Sequence, residues 1–147
     1  MVIRDLRRNS MQEAWDVVPG YAKYKDRYRV LCKDGDEFLE RLGFKREGPI
    51  YRTSMDGPQH HGKGLEVVLV CHMGMALTWL SHLLALPTPL CHTGFFLPPS
   101  SVTTILFEQR NEYTAVPRII RMGCTAHLYK AGIKPHPKPA GIQANYY

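Results

Sequence analysis

Residues 65–86 constrain the fold of this chain more than any other segment, because the spacing of their apolar side chains changes partway along. Residues 67–70, Val-Val-Leu-Val, form an uninterrupted apolar run, which predicts a strand buried on both faces in a parallel α/β sheet. From Met75 to Leu86 the leucines are dense enough for a helix packed largely into the core. The segment therefore predicts a strand, a short turn and a helix.

The predicted turn, Cys-His-Met-Gly at residues 71–74, lies where open α/β sheets bind ligands. A helix N-terminus presents unpaired N–H groups and a partial positive charge, which suit phosphate. His72 can hydrogen-bond an anion there, and Gly74 lets the main chain approach a ligand or adopt a positive φ. The alternative is a histidine buried beneath a tight turn, and these residues alone leave both interpretations open.

Size and charge limit the classes of protein to consider. A chain of 147 residues with 44% hydrophobic composition suits one domain with a genuine core. The net charge of +6 favours anionic ligands, but the basic residues are scattered, and only Arg4, Arg7 and Arg8 form a tight group. Nucleic-acid binding is typical of a basic stripe interleaved with exposed aromatic residues, so we expect no nucleic-acid partner.

The cysteines and histidines indicate neither a disulfide framework nor a metal site. The four cysteines lie far apart, as expected for small buried apolar residues in a reducing compartment. His60 and His61 are adjacent on a glycine-rich loop, and no Cys-x-x-Cys spacing accompanies them, so we expect no metal and no cofactor. No apolar run is long enough to span a membrane, and the amino end lacks a signal-peptide pattern, so we expect a cytoplasmic protein with no membrane partner.

The other elements follow from apolar spacing. Residues 21–42 predict an amphipathic helix that kinks or pauses at Gly35 and ends at Gly43, with Lys45 and Arg46 supplying positive charge beyond its carboxyl end. Turn and strand signals then predict a short extended piece at 50–52, a loop or short helix at 90–99, strands at 100–107 and 116–122, and a polar turn between those two strands. The strands at 100–107 and 116–122 form an antiparallel hairpin, with Pro117 placing the second of them at a sheet edge.

Three regions follow. Residues 1–20 are a frayed start or connecting segment that Trp15 anchors, 21–130 are the α/β domain, and 131–147 are an extended or disordered tail rich in proline.

Several segments in order resemble the carboxyl-terminal half of the histidine phosphatase superfamily, which includes the phosphoglycerate mutase-like phosphatases. They are Val-Leu-Val-Cys-His-Met-Gly, a leucine-rich helix with Ser-His-Leu-Leu-Ala-Leu, Ser-Ser-Val-Thr-Thr-Ile-Leu-Phe-Glu, and Gly-Cys-Thr-Ala-His-Leu. The resemblance covers about residues 24–129 and implies a three-layer open sheet with helices on both faces, incomplete at the amino end.

The resemblance also implies a mechanism. An amino-terminal histidine attacks phosphorus, two arginines and a second histidine hold the phosphoryl oxygens, and an acidic residue protonates the leaving group. His72 resembles the second histidine, a catalytic and phosphate-binding residue, and Met73 and Gly74 would shape the pocket floor.

The sequence departs from this family pattern in three ways. It contains no Arg-His-Gly tripeptide, and Asp5 follows Arg4 where the nucleophilic histidine is needed. No counterpart is found for the second arginine or the acid, and Cys124 replaces an aspartate.

Two functions follow from these observations. The first is a histidine phosphatase-type phosphomonoesterase in a truncated or degenerate form, and the second is a phosphate-binding or interaction module without catalysis. The expected partner is a small phosphorylated metabolite or inorganic phosphate. A sheet that lacks its first central strand also predicts association of the chain with itself through an exposed sheet edge.

Overall fold

The structure, a computed structural model, describes residues 22–53 and 64–133. The predictions for residues 1–20, for Trp15, for His60 and His61, and for residues 134–147 lie outside this part of the chain. Within it, four helices and four strands occur in the order α1 (Ala22–Arg41), β1 (Phe44–Glu47), β2 (Ile50–Thr53), α2 (Met73–Leu83), α3 (Thr88–Gly94), β3 (Val102–Asn111), β4 (Thr114–Cys124) and α4 (Ala126–Lys130).

The strands form one sheet in the order β1-β2-β4-β3, and every described pairing in it is antiparallel. Two tight hairpins explain this topology. Gly48, with φ +61°, makes the turn between β1 and β2, and residues 112–113 connect β3 to β4. The mixed α/β class is confirmed, and so is the predicted β3–β4 hairpin.

Two apolar clusters join α1 and α2 to one face of the sheet, called the inner face here. Leu39 on α1, Leu83 on α2 and Tyr51 on β2 are buried together, and Leu77 and Leu80 of α2 meet Leu97 in a second cluster. Ile105 on β3 contacts both clusters, so the described core is continuous across α2. The alternation of burial along β3 leaves Val102 and Leu106 on the opposite face, half exposed.

Residues 67–70 were predicted to be a buried parallel strand, and this prediction is wrong. They form neither helix nor strand, and the side chains of Val68 and Val70 are 86% and 95% exposed. A strand needs a neighbour to receive its main-chain hydrogen bonds, and no strand among the described residues lies beside this run. Cys71, which follows it, is likewise exposed rather than buried.

Helix α1 is continuous where a kink or pause was expected at Gly35. Gly35 lies against the indole ring of Trp79 on α2, where a Cβ would overlap the indole nitrogen. The glycine therefore permits close approach of two helices rather than bending one of them. The predicted helix end is confirmed, since Gly43 follows the helix with φ +89°.

Pro117 was predicted to mark an edge strand, but β4 pairs with both β2 and β3. The reason lies in the short overlap with β2, which pairs only with Thr114 and Ala115. Pro117 is beyond that overlap and pairs with Phe107 of β3, so only one of its sides faces a described strand.

Candidate functional site

The predicted phosphate corner lies at the N-terminus of α2. His72 is the N-cap residue, with extended backbone angles (φ −77°, ψ 153°), and its side chain makes no capping hydrogen bond. The imidazole is exposed and has no hydrogen-bond partner among residues 22–53 and 64–133. The alternative prediction, a histidine buried beneath a tight turn, is therefore wrong.

The main chain beside His72 is also open. The first intrahelical hydrogen bond runs from the Ala76 N–H to the His72 carbonyl at 3.0 Å, so the N–H groups of Met73, Gly74 and Met75 have no acceptor within the helix. Apart from its chain neighbours and the nearby backbone of α2 itself, no heavy atom of the described structure lies within 4 Å of an ideal Cβ position at Gly74. An anion could therefore approach the main chain here without displacing a side chain.

Gly74 is helical rather than part of a separate turn, since α2 begins at Met73 immediately after His72. Its φ is not positive, so this conformation does not itself require glycine. What glycine provides at this position is the open space beside the helix N-terminus.

His92 is a further residue near this corner that the sequence did not indicate. Thr78 Oγ1 donates to the Gly74 carbonyl at 2.8 Å, and the same hydroxyl lies 2.9 Å from His92 Nε2 on α3. Partial burial of the ring lowers the pKa of His92. Thr78 thus connects the first turn of α2 to a second imidazole that favours its neutral form.

A second polar cluster lies at the opposite end of α2. His82 Nε2 is 2.9 Å from both carboxylate oxygens of Asp36 on α1, while Arg46 on β1 donates to the His82 carbonyl at 2.8 Å. Arg46 also donates to the Tyr51 hydroxyl at 2.7 Å, and the Arg46 side chain is only 17% exposed. Lys45 and Arg46 were expected to supply charge beyond α1, but Arg46 in fact satisfies a carbonyl in the last turn of α2.

The sequence offered no signal for this cluster, because its members come from residues 36, 46, 51 and 82 on four different elements. Burial raises the pKa of the Tyr51 hydroxyl despite the nearby Arg46 guanidinium. Tyr51 is therefore a hydrogen-bonding and packing residue in its neutral form.

The described residues contain no group of three or more histidine, cysteine, aspartate or glutamate side chains placed to hold a metal ion. All four cysteines are free thiols, two of them buried. Of the helices that the structure describes, none combines the length and the apolar character needed to cross a bilayer.

Comparison of the chain with protein-family models, with curated proteins and with solved structures finds no match.

Proposed function

We propose that this chain is a histidine phosphatase-like domain that binds the phosphoryl group of a small phosphorylated metabolite, or inorganic phosphate, at the N-terminus of α2. The observation that carries the proposal is the juxtaposition of an exposed imidazole, that of His72, with three main-chain N–H groups that have no helical acceptor. The resemblance of residues 24–129 to the histidine phosphatases implies the same location.

In this proposal His72 donates a hydrogen bond to a phosphoryl oxygen, and the main chain of Met73 and Gly74 contributes N–H donors around it. The partial positive charge of an 11-residue helix adds to these donors. Charge-assisted hydrogen bonds to an oxyanion are stronger than neutral ones, so a few converging donors suffice for weak but specific phosphate binding.

Binding rather than hydrolysis is the form of the proposal that the residues support better. The phosphohistidine route needs a nucleophilic histidine beside an arginine, and the sequence contains no Arg-His-Gly tripeptide. Hydrogen-bond donors can bind a phosphoryl group, but without a nucleophile they cannot hydrolyse it through a phosphohistidine intermediate.

The finer architecture is part of the same proposal. We expect a three-layer arrangement with helices on both faces of the sheet, in which a further layer covers the half-exposed outer side chains of Val102, Leu106 and Ile120. The exposure of those side chains supports this arrangement. A cytoplasmic location belongs to the proposal as well.

The test is thermal unfolding of the purified chain with increasing phosphate or vanadate. Wild type should be stabilised saturably, His72→Ala should lose the stabilisation, and His127→Ala, which removes another exposed histidine, should retain it. Equal stabilisation of wild type and His72→Ala would contradict the proposal. Hydrolysis of a generic phosphate monoester by wild type but not by His72→Ala would establish the enzyme instead of the binding module.

A further inference from the structure

A cavity of about 410 Å³ lies at the carboxyl end of α2, between α1, β1 and the start of α3. Its volume is within the roughly 300–1,000 Å³ that small-molecule sites occupy. Because α2 contains 11 residues, this cavity and His72 lie on the order of 15 Å apart along the helix axis. The cavity is therefore separate from the phosphate corner proposed above.

The wall of the cavity is positively charged. Lys25 and Arg29 of α1 and Arg46 of β1 line it, and its lining includes no aspartate or glutamate. Asp26 lies 3.9 Å from Arg29, but both side chains are largely exposed, so water screens that pair. An anion inside the cavity would meet several cationic groups and no carboxylate from the lining.

Arg46 is held in place before any ligand binds. Its Nη1 donates to the Tyr51 hydroxyl and its Nη2 to the His82 carbonyl, and Asp36 lies 3.9 Å from Nη1. A guanidinium carries five N–H donors, so these bonds leave donors for a ligand. An arginine that is already ordered loses little side-chain entropy when a ligand binds.

A helix carboxyl end ordinarily repels anions, but the Ser81 and His82 carbonyl groups in the last turn of α2 are already engaged. Arg46 and the Ala85 N–H both donate to the His82 carbonyl, and the Leu86 N–H donates to the Ser81 carbonyl at 2.9 Å. These bonds offset much of the partial negative charge that the helix end would present to the cavity.

The remaining wall combines apolar side chains with the polar groups of Tyr28, Ser81, His82 and Thr88. Leu86, Pro87 and Pro89 form one side, and the Ser81 and Thr88 hydroxyls lie 2.9 Å apart at the back. A ligand that fits this wall carries an oxyanion at one end and an apolar ring or chain at the other.

We propose that this cavity, lined by Arg29, Arg46 and the Leu86–Pro89 segment, binds a small organic oxyanion, a phosphate or a carboxylate carried on an apolar group. This inference does not depend on phosphate binding at His72. The oxyanion pairs with the arginines, and the apolar group contacts the leucine and the prolines.

The experiment is a ligand-observed NMR titration of the full chain with phenyl phosphate, benzoate and phenol. Phenyl phosphate or benzoate should bind saturably at millimolar concentration, and phenol should bind at least about tenfold more weakly because it lacks the charge. Arg29→Gln should weaken binding of the anion about fivefold. Arg27→Gln, which makes the same charge change at an exposed residue of α1 outside the lining, should change it less than about twofold.

Repeating these titrations in the His72→Ala background separates the two sites, because the phosphate corner then no longer contributes and Arg29→Gln should still weaken anion binding about fivefold. Equal weakening in Arg27→Gln and Arg29→Gln would mean diffuse charge attraction and overturn the proposal. Phenol binding as tightly as phenyl phosphate, loss of binding in His72→Ala, or no saturation with either anion would overturn it as well.

Discussion

Gly35 on α1 lies directly against the indole ring of Trp79 on α2, and this contact sets how closely the two helices approach. A Cβ at Gly35 would lie 2.9 Å from Trp79 Cδ1 and closer still to the indole nitrogen. Trp79 is held by an edge-on contact with Phe38, with ring centroids 6.3 Å apart. Among the described residues nothing accepts a hydrogen bond from the buried Trp79 N–H, so close packing is what this contact provides.

Gly35→Ala is therefore expected to destabilise the protein, although alanine favours helix by about 1 kcal/mol over glycine. Overpacking of a well-filled site costs about 1 to 3 kcal/mol, so we expect a net loss of about 1 kcal/mol in the free energy of unfolding. Urea denaturation measures it. In a double-mutant cycle, Gly35→Ala should be tolerated better when Trp79 is already phenylalanine, because the indole nitrogen is gone. A gain in stability from Gly35→Ala in the wild-type background would contradict this account.

Ala85→Gly is expected to stabilise the protein. Ala85 follows α2 with φ +53°, and its N–H and that of Leu86 bond back to the His82 and Ser81 carbonyls in a Schellman arrangement. The equivalent positions after α1 and α4 are Gly43 and Gly132, both with positive φ. A non-glycine residue with a positive φ is destabilised by about 1 kcal/mol. Glycine removes this strain, but the greater conformational entropy of glycine in the unfolded chain cancels part of the gain.

The expected gain from Ala85→Gly is about 0.5 kcal/mol in the free energy of unfolding. The matched control is Ala131→Gly after α4, where φ is −84° and no strain is released. That control should be neutral or destabilising. If both variants change stability alike, the strain at Ala85 is not what decides the outcome.

The stability of the β3–β4 hairpin depends on pH through the carboxylate of Glu108. Arg118 Nη1 donates to the Glu108 carboxylate at 2.8 Å, and Arg110 Nη2 lies 3.1 Å from the same carboxylate. The hydrogen bond from Arg118 is the main cause that lowers the pKa of Glu108 below its ordinary 4.5. A carboxyl with a lowered pKa in the folded state contributes stability above about pH 4.5. That contribution is lost as the pH falls through the folded-state value.

Wild type should therefore lose more of its thermal stability between about pH 5 and pH 3 than Glu108→Gln does. Circular dichroism melting curves across this range measure the difference. Glu112→Gln, at the exposed turn of the same hairpin, should retain the wild-type dependence. Parallel curves for wild type and Glu108→Gln would show that the ion pair with Arg118 does not contribute to stability, as many exposed pairs do not.

Local spacing predicted the elements whose hydrogen bonds stay within the element or within one hairpin. The periodicity of residues 21–42 indicated α1, Gly43 indicated its end, and the two apolar runs around residues 108–113 indicated the β3–β4 hairpin. In each case the partner groups lie close in sequence, so the pattern contains the information.

The predictions failed where a distant partner decides the outcome. Residues 67–70 have the composition of a buried strand, but composition does not supply the neighbouring strand that such a segment needs. Gly35 was interpreted as a weak point in a helix because Trp79, 44 positions later in the sequence, was not visible in the local pattern. The cationic cavity at the end of α2 was missed for the same reason, since Arg29, Arg46 and His82 converge only in the fold.

Gly74→Ala separates the two roles that a glycine can have at the start of α2. Apart from the chain neighbours and the nearby backbone of α2, no described atom lies within 4 Å of the added methyl group, and φ is not positive, so the fold should accept it. Because alanine is the better helix former, stability should stay unchanged or rise by up to about 1 kcal/mol. The methyl group should nevertheless occupy the space through which an anion approaches the Met73 and Gly74 N–H groups, so phosphate should bind several-fold more weakly.

Thermal unfolding with and without phosphate measures both effects in the same samples. Gly64→Ala is the matched control, since Gly64 also has open space around its Cβ position and lies outside the phosphate corner. It should bind phosphate as wild type does. If Gly74→Ala unfolds the protein, the N-terminus of α2 does not have room for a methyl group at this position. If instead it binds phosphate as tightly as wild type, the main chain of Gly74 does not contact the ligand, and the role of α2 in phosphate binding reduces to the His72 side chain.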